Sequence, residues 1–201
     1  MIRFSVMFFL AAFATSNVSL AQQKPAPVGQ LPEGRHMPGF LIDETSHQYP
    51  AEASGRGLSK SFGERGPRSA VGTPNALAYV APPHSVQYGR AFLKIDRAGP
   101  VTFVVTGDID DSSVPFASCE IILRLSDGDF VQGKIYSPGP GGKSRGGPVV
   151  GNVALDPGYY RFEYVLGCPY VRRARYTIAI RGENDAGPRN FLPAELFHVV
   201  P

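Results

Sequence analysis

Three carboxylates, Asp108, Asp110 and Asp111, fall within four consecutive residues. Calcium takes several oxygen ligands at about 2.3–2.6 Å, and carboxylates on one short stretch can supply some of them. The vicinal diol of a sugar can complete such a shell. The segment Gly107–Ser113 reads as a polar loop, and Asp also suits a solvated turn, where its side chain bonds the nearby backbone. Calcium is thus the one cofactor for which the sequence offers metal ligands, at Asp108, Asp110 and Asp111. Asp127 and Asp129 flank Gly128 and read as ordinary hairpin-turn residues.

A second group is basic and aromatic. Arg172, Arg173 and Arg175 follow Cys168-Pro169-Tyr170. With Lys143 and Arg145 they could bind an anionic cell-envelope polymer. They equally suit a solvated strand edge that discourages pairing with other chains. Tyr159 and Tyr170 could stack on a sugar ring. Candidate ligand-binding residues are therefore Tyr159, Tyr170, Arg172 and Arg173. No candidate catalytic residue emerges. Glycoside hydrolysis needs two carboxylates across a cleft, and no motif places them. Serine or cysteine catalysis needs a base beside the nucleophile. The histidines are His36, His47, His84 and His198. His198 reads as a packing or capping residue of the last strand. The expectation is a protein that is not an enzyme.

The N-terminus carries the sharpest signal. Arg3 precedes a short apolar run, Val6–Ala14, and Ser19-Leu20-Ala21 places small residues where a signal peptidase reads. The run is too short to span a bilayer, which takes roughly 20 residues. Met1–Ala21 is expected to be a signal peptide, and the product secreted or periplasmic with no membrane span. In an oxidising compartment Cys119 and Cys168 are expected to pair. Such a bridge closes a loop of about 50 residues and stabilises by about 2–4 kcal/mol. The net charge of +3 is far from what nucleic-acid binding needs.

These candidates need elements to hold them. Gly (23) and Pro (19) are abundant, and many lie between residues 22 and 74. That stretch is expected to be a flexible leader, burying too little apolar surface to offset its ordering entropy. Within it, Met37–Asp43 is a compact apolar cluster able to dock on the domain or on a partner. From residue 75 to 201 the pattern changes. Val101–Thr106, Cys119–Leu125, Phe130–Tyr136, Val149–Leu155 and Tyr159–Val165 read as short strands, rich in β-branched and aromatic residues. Ala174–Arg181 alternates, with Tyr176, Ile178 and Ile180 on one face. Ser137–Pro148 reads as a surface loop. Seven to nine strands without amphipathic helices predict an all-β, antiparallel, jelly-roll-like sandwich over 75–201.

The order of three motifs resembles the lectin-like β-sandwich domain first described in the anthrax protective antigen. Phe92–Phe103 is similar to that family's opening strand pair, with its Gly turn and "T-F" strand before an acidic loop. Leu155–Tyr164 resembles its "L-x-x-G-x-Y-x-I-x-V" strand. Leu192–His198 resembles its closing "I-P-x-x-x-L-x-H" segment. The bacterial pre-peptidase C-terminal domain shares much of this plan. In sugar-binding members of the first family, two consecutive Asp residues after the "T-F" strand hold calcium, which implies Asp110 and Asp111 here. The family usually runs straight into a short "G-x-x-L" strand, whereas Ser112–Phe116 intervenes in this chain. The implied function is an exported, non-catalytic module that recognises carbohydrate or cell-envelope glycan through loop tips. The other expectation is a structural or assembly protein, docking on an envelope protein through Met37–Asp43.

Overall fold

The structure, a computed structural model, describes residues 24–45, 58, 62–63, 68–80, 85–112, 117–126, 128–136 and 147–200. The expected signal peptide, His47, His84, Lys143 and Arg145 lie outside them. So do the side chains of Asp111 and Asp129.

Among the described residues twelve strands run in chain order: β1 (Arg35–Pro38), β2 (Phe40–Thr45), β3 (Arg68–Gly72), β4 (Leu77–Val80), β5 (Ser85–Ile95) and β6 (Gly99–Ser112). They continue as β7 (Ser118–Leu125), β8 (Gly128–Tyr136), β9 (Val149–Leu155), β10 (Gly158–Cys168), β11 (Val171–Gly182) and β12 (Leu196–Val200). They form two antiparallel sheets. One has eight strands along the path β1-β12-β5-β10-β7-β8, with β2 and β3 joining at β5. The other is β4-β11-β6-β9. The chain is an all-β sandwich, as the strand pattern predicts.

Period-two alternation builds the core between the sheets. Ala174, Tyr176, Ile178 and Ile180 of β11 point inward and meet Tyr160, Phe162 and Tyr164 of β10 and Phe103 of β6. Phe103 lies 5.2 Å from Phe162, centroid to centroid. A polar bridge crosses this apolar layer. Buried Gln87 on β5 accepts from the hydroxyls of Tyr164 and Tyr176, and its Nε2 donates to the carbonyl of Ala78 on β4 at 3.0 Å. One amide therefore ties both sheets together. Cys119 and Cys168 form the expected disulfide, joining β7 to β10 with Cα atoms 4.4 Å apart.

The described part of the expected flexible leader is instead built into the sandwich. β1 pairs with β12, and β2 lies between β3 and the N-terminal half of β5. Phe40 and Ile42 are buried, and Phe40 packs edge-on against Tyr164 at 5.0 Å. Burial of two such side chains contributes about 1.5–3 kcal/mol each, enough to hold a short strand that also gains ladder hydrogen bonds. The switch from β12 to β5 occurs at Gly39, whose φ of 92° suits glycine. A Cβ there would meet the carbonyl oxygen of Gly72 at 2.5 Å. Even the first described residues are engaged. Val28 N–H donates to the Tyr159 carbonyl, and Ser126 donates to that of Ala26.

The outer face of the larger sheet carries its own layer. Leu58 fills a second apolar cluster with Val86, Tyr88, Ile122 and Val165. Phe62 packs beside it, edge-on to Tyr88, with the Arg124 guanidinium 3.7 Å over its ring. Buried Asp43 pairs with Arg90 at 2.8 Å, and the Tyr88 hydroxyl donates to Glu163. This covering explains why β10 is buried on both faces beyond Arg161 instead of alternating.

Candidate functional site

The acidic stretch is a strand, not a loop. β6 runs unbroken from Gly99 to Ser112 and pairs with β11 along nearly its whole length. Asp108 and Asp110 point out, while Ile109 between them is buried. That in-out pattern, with basic residues available on the neighbouring strand, outweighs the turn preference of Asp. Asp108 stands opposite Arg175 in register, and Asp111 opposite Arg173.

The acidic and basic candidates therefore meet. Arg175 donates to Asp110 through both Nε and Nη2, each at 2.9 Å. This bidentate bond holds the Asp110 carboxyl below its usual range, and the carboxylate in turn raises the Arg175 guanidinium. β11 is not the solvated sheet edge considered from the sequence, since it lies between β4 and β6. Of its arginines, Arg175 is neutralised by Asp110 of β6. The register is shifted at Val171–Ala174. This bulge leaves Arg172 and Arg173 both exposed while Val171 and Ala174 are buried.

Beside the pair lies an open groove of about 600 Å3. β9 begins at Val149, opposite Val105, so from Thr106 onward β6 pairs only with β11 among the described residues. Gly107 forms part of the groove wall. A Cβ there would meet the Arg175 carbonyl oxygen at 2.8 Å and the Tyr176 Cβ at 2.9 Å. Thr106 and Thr177 face each other with hydroxyl oxygens 2.7 Å apart. Tyr136 at the end of β8, 37% exposed, and Pro148 line one part of the groove. Asn75 and Ala78 line another, and Asp108 and Arg175 contribute charge. Donors, acceptors and an aromatic surface thus share one concave site, a combination suited to a polyhydroxylated ligand.

The remaining candidates separate. Tyr170 is exposed in the turn before β11, at the end of the sandwich that carries the disulfide. Tyr159 lies near the start of β10, roughly 30 Å away along that strand, and packs edge-on to Phe197. The two tyrosines cannot share one sugar site. His198 is buried, and its Nδ1 donates to the Gly39 carbonyl at 3.2 Å. Tyr136, Thr106, Thr177 and Asn75 were not singled out from the sequence. Alternation along 101–110 was the one signal that could have exposed Thr106, since it puts Thr106, Asp108 and Asp110 on one face.

No family model and no curated protein matches this chain. Solved structures share its fold. The A domain of epithelial adhesin 9 from Candida glabrata, in complex with Galβ1-4GlcNAc, has a TM-score of 0.58 at 9% identity, over 89% of this chain and 96% of that one. These likenesses establish architecture. The PA14 sugar-binding domain from an RTX adhesin has a TM-score of 0.53 at 11% identity, over 81% of this chain and 99% of that one. An anti-sigma factor domain-containing protein from Clostridium clariflavum has 0.51 at 9%, over 82% of this chain and 48% of that one. The chain thus spans about half of that last protein.

Proposed function

We propose that this chain is an exported, non-catalytic module that binds carbohydrate in the groove beside β6 and β11. The observation that carries the reading is the groove itself. Paired threonine hydroxyls, an aspartate, an arginine and an exposed tyrosine converge there. Sugar rings present hydroxyls around an apolar face, and such a site offers partners for both. The fold likeness to an adhesin domain in complex with a galactosyl disaccharide supports this, as does the resemblance of Phe92–Phe103, Leu155–Tyr164 and Leu192–His198 to a lectin-like family. The Cys119–Cys168 bridge agrees with an oxidising, extracytoplasmic setting. Docking on an envelope protein through Met37–Asp43 loses its basis, because that segment is already paired and packed within the chain.

The test is a glycan array that includes Galβ1-3GlcNAc and Galβ1-4GlcNAc, probed with the disulfide-intact chain from Gln22 to Pro201. A retained glycan should be confirmed by calorimetry. Tyr136→Ala and Asp108→Asn should each weaken it about tenfold, equivalent to about 1.4 kcal/mol. An empty array, or binding that neither change affects, removes the proposal.

A further inference from the structure

The lectin resemblance implies calcium at Asp110 and Asp111, but the surroundings of Asp110 do not fit that ion. Both carboxylate oxygens of Asp110 are already held by the Arg175 fork at 2.9 Å. A planar guanidinium satisfies a carboxylate in two parallel bonds and carries its own positive charge. The register sets Arg175 opposite Asp108 as well.

Along β6 the register passes from Asp111 to Ile109 and leaves Asp110 without a cross-strand partner. The bulge at Val171–Ala174 adds a further element. A regular strand would turn one of two consecutive residues inward, yet Arg172 and Arg173 are both exposed here. Bulges re-aim side chains in this way, and this one concentrates guanidinium groups beside the acidic strand.

We infer that the Arg175 guanidinium stands in the place of a calcium ion at Asp110, so that the groove engages the hydroxyls of its ligand directly and without a metal. Arg175 keeps N–H donors beyond the two given to Asp110, since a guanidinium carries five. Asp108 supplies an acceptor, and Thr106 and Thr177 supply hydroxyls. The ligand class is a neutral polyol, such as an uncharged sugar with a vicinal diol, because the charged residues lining the groove are one aspartate, Asp108, and one arginine, Arg175. The ligand half of this inference rests on the carbohydrate reading, whereas the metal half stands apart from it.

The experiment separates the two. Calcium chloride alone is titrated calorimetrically into the disulfide-intact Gln22–Pro201 chain and into Arg175→Gln, with folding of both checked by thermal unfolding. The wild-type chain should show no saturable binding up to about 10 mM, well above the ~1 mM limit of extracellular calcium modules. Arg175→Gln should gain a calcium site that disappears again in Arg175→Gln/Asp110→Asn. Arg175 is largely exposed, at 73% of its side chain, so its replacement leaves the core intact. Saturable wild-type binding lost in Asp110→Asn overturns the inference. So does an Arg175→Gln chain that also ignores calcium, since the guanidinium would then not be what excludes the ion. Any glycan retained on the array should bind equally in calcium and in chelator. Loss of that binding in chelator refutes the metal-free mode while leaving the carbohydrate reading in place. An array with no hit ends the carbohydrate reading but not the calcium result.

Discussion

Gly89→Ala should be one of the most damaging single-methyl changes in this chain. Gly89 sits mid-strand on β5, opposite Tyr164 of β10 and Ile42 of β2. A Cβ at Gly89 would lie 1.9 Å from Cε1 of Tyr164, 2.4 Å from Cζ and 2.6 Å from Cδ1. Carbon atoms need about 3.5 Å, so the ring would have to retreat by roughly 1.5 Å. It has no room to do so. Tyr164 is fully buried, Phe40 stands edge-on at 5.0 Å and Tyr176 at 5.9 Å, and its hydroxyl bonds Gln87. Overpacking costs about 1–3 kcal/mol, and loss of the hydroxyl's hydrogen bond adds about 1 kcal/mol. The expected penalty is therefore about 2–4 kcal/mol, read as a lower urea midpoint at an unchanged slope. Tyr164→Leu is itself destabilising but empties the space above Gly89. Gly89→Ala/Tyr164→Leu should thus fall short of the summed single penalties by at least about 1 kcal/mol. A Gly89→Ala penalty within about 0.5 kcal/mol, or strict additivity with Tyr164→Leu, would refute this packing argument.

Cys119→Ala/Cys168→Ala should lower stability by about 4 kcal/mol, from the loop entropy of a 49-residue separation. Reductant should lower the melting temperature of the wild-type chain but not of the variant. Arg90→Met removes the cation paired with the buried Asp43 carboxylate and should cost about 3 kcal/mol. Adding Asp43→Asn should recover most of that loss in the same denaturation assay. Alkaline pH should unfold the protein through its buried tyrosines. Burial raises Tyr79 to about 12 and pushes Tyr164 and Tyr176 well up, against about 10 in the unfolded chain. The folded state holds these protons more tightly. Stability is therefore full below about pH 10 and falls as pH rises through 12, by about 1.4 kcal/mol per tyrosine per pH unit. Tyrosinate absorbance from these residues should appear together with loss of structure, not before it.

The fold class was legible because β-branched and aromatic runs and short turns announce strands directly. β11 reads correctly from alternation alone, with Tyr176, Ile178 and Ile180 inward. The disulfide was legible from the cysteine number and the expectation of export. The acidic stretch was not, because the turn preference of Asp is local, whereas the arginines opposite it come from a strand some 65 residues later. The leader was misjudged for a related reason. Its average composition is that of a disordered segment, but two residues, Phe40 and Ile42, suffice to seat β2 once β5 offers an edge. The groove was hidden because Tyr136, Thr106, Thr177 and Asn75 come from four separate parts of the chain and are individually unremarkable. Tyr159 and Tyr170 looked alike as sugar platforms, yet the length of β10 keeps them apart.

The central claim is that the groove beside Asp108 and Arg175 is where a sugar binds. The most direct test is an amide NMR titration of the disulfide-intact chain with a glycan retained on the array, run in chelator. The account predicts shifts concentrated at Asn75–Ala78, Thr106–Asp110 and Arg173–Thr177. Shifts concentrated instead away from the groove, around Lys94–Val101 and Gly182–Glu195, would contradict it.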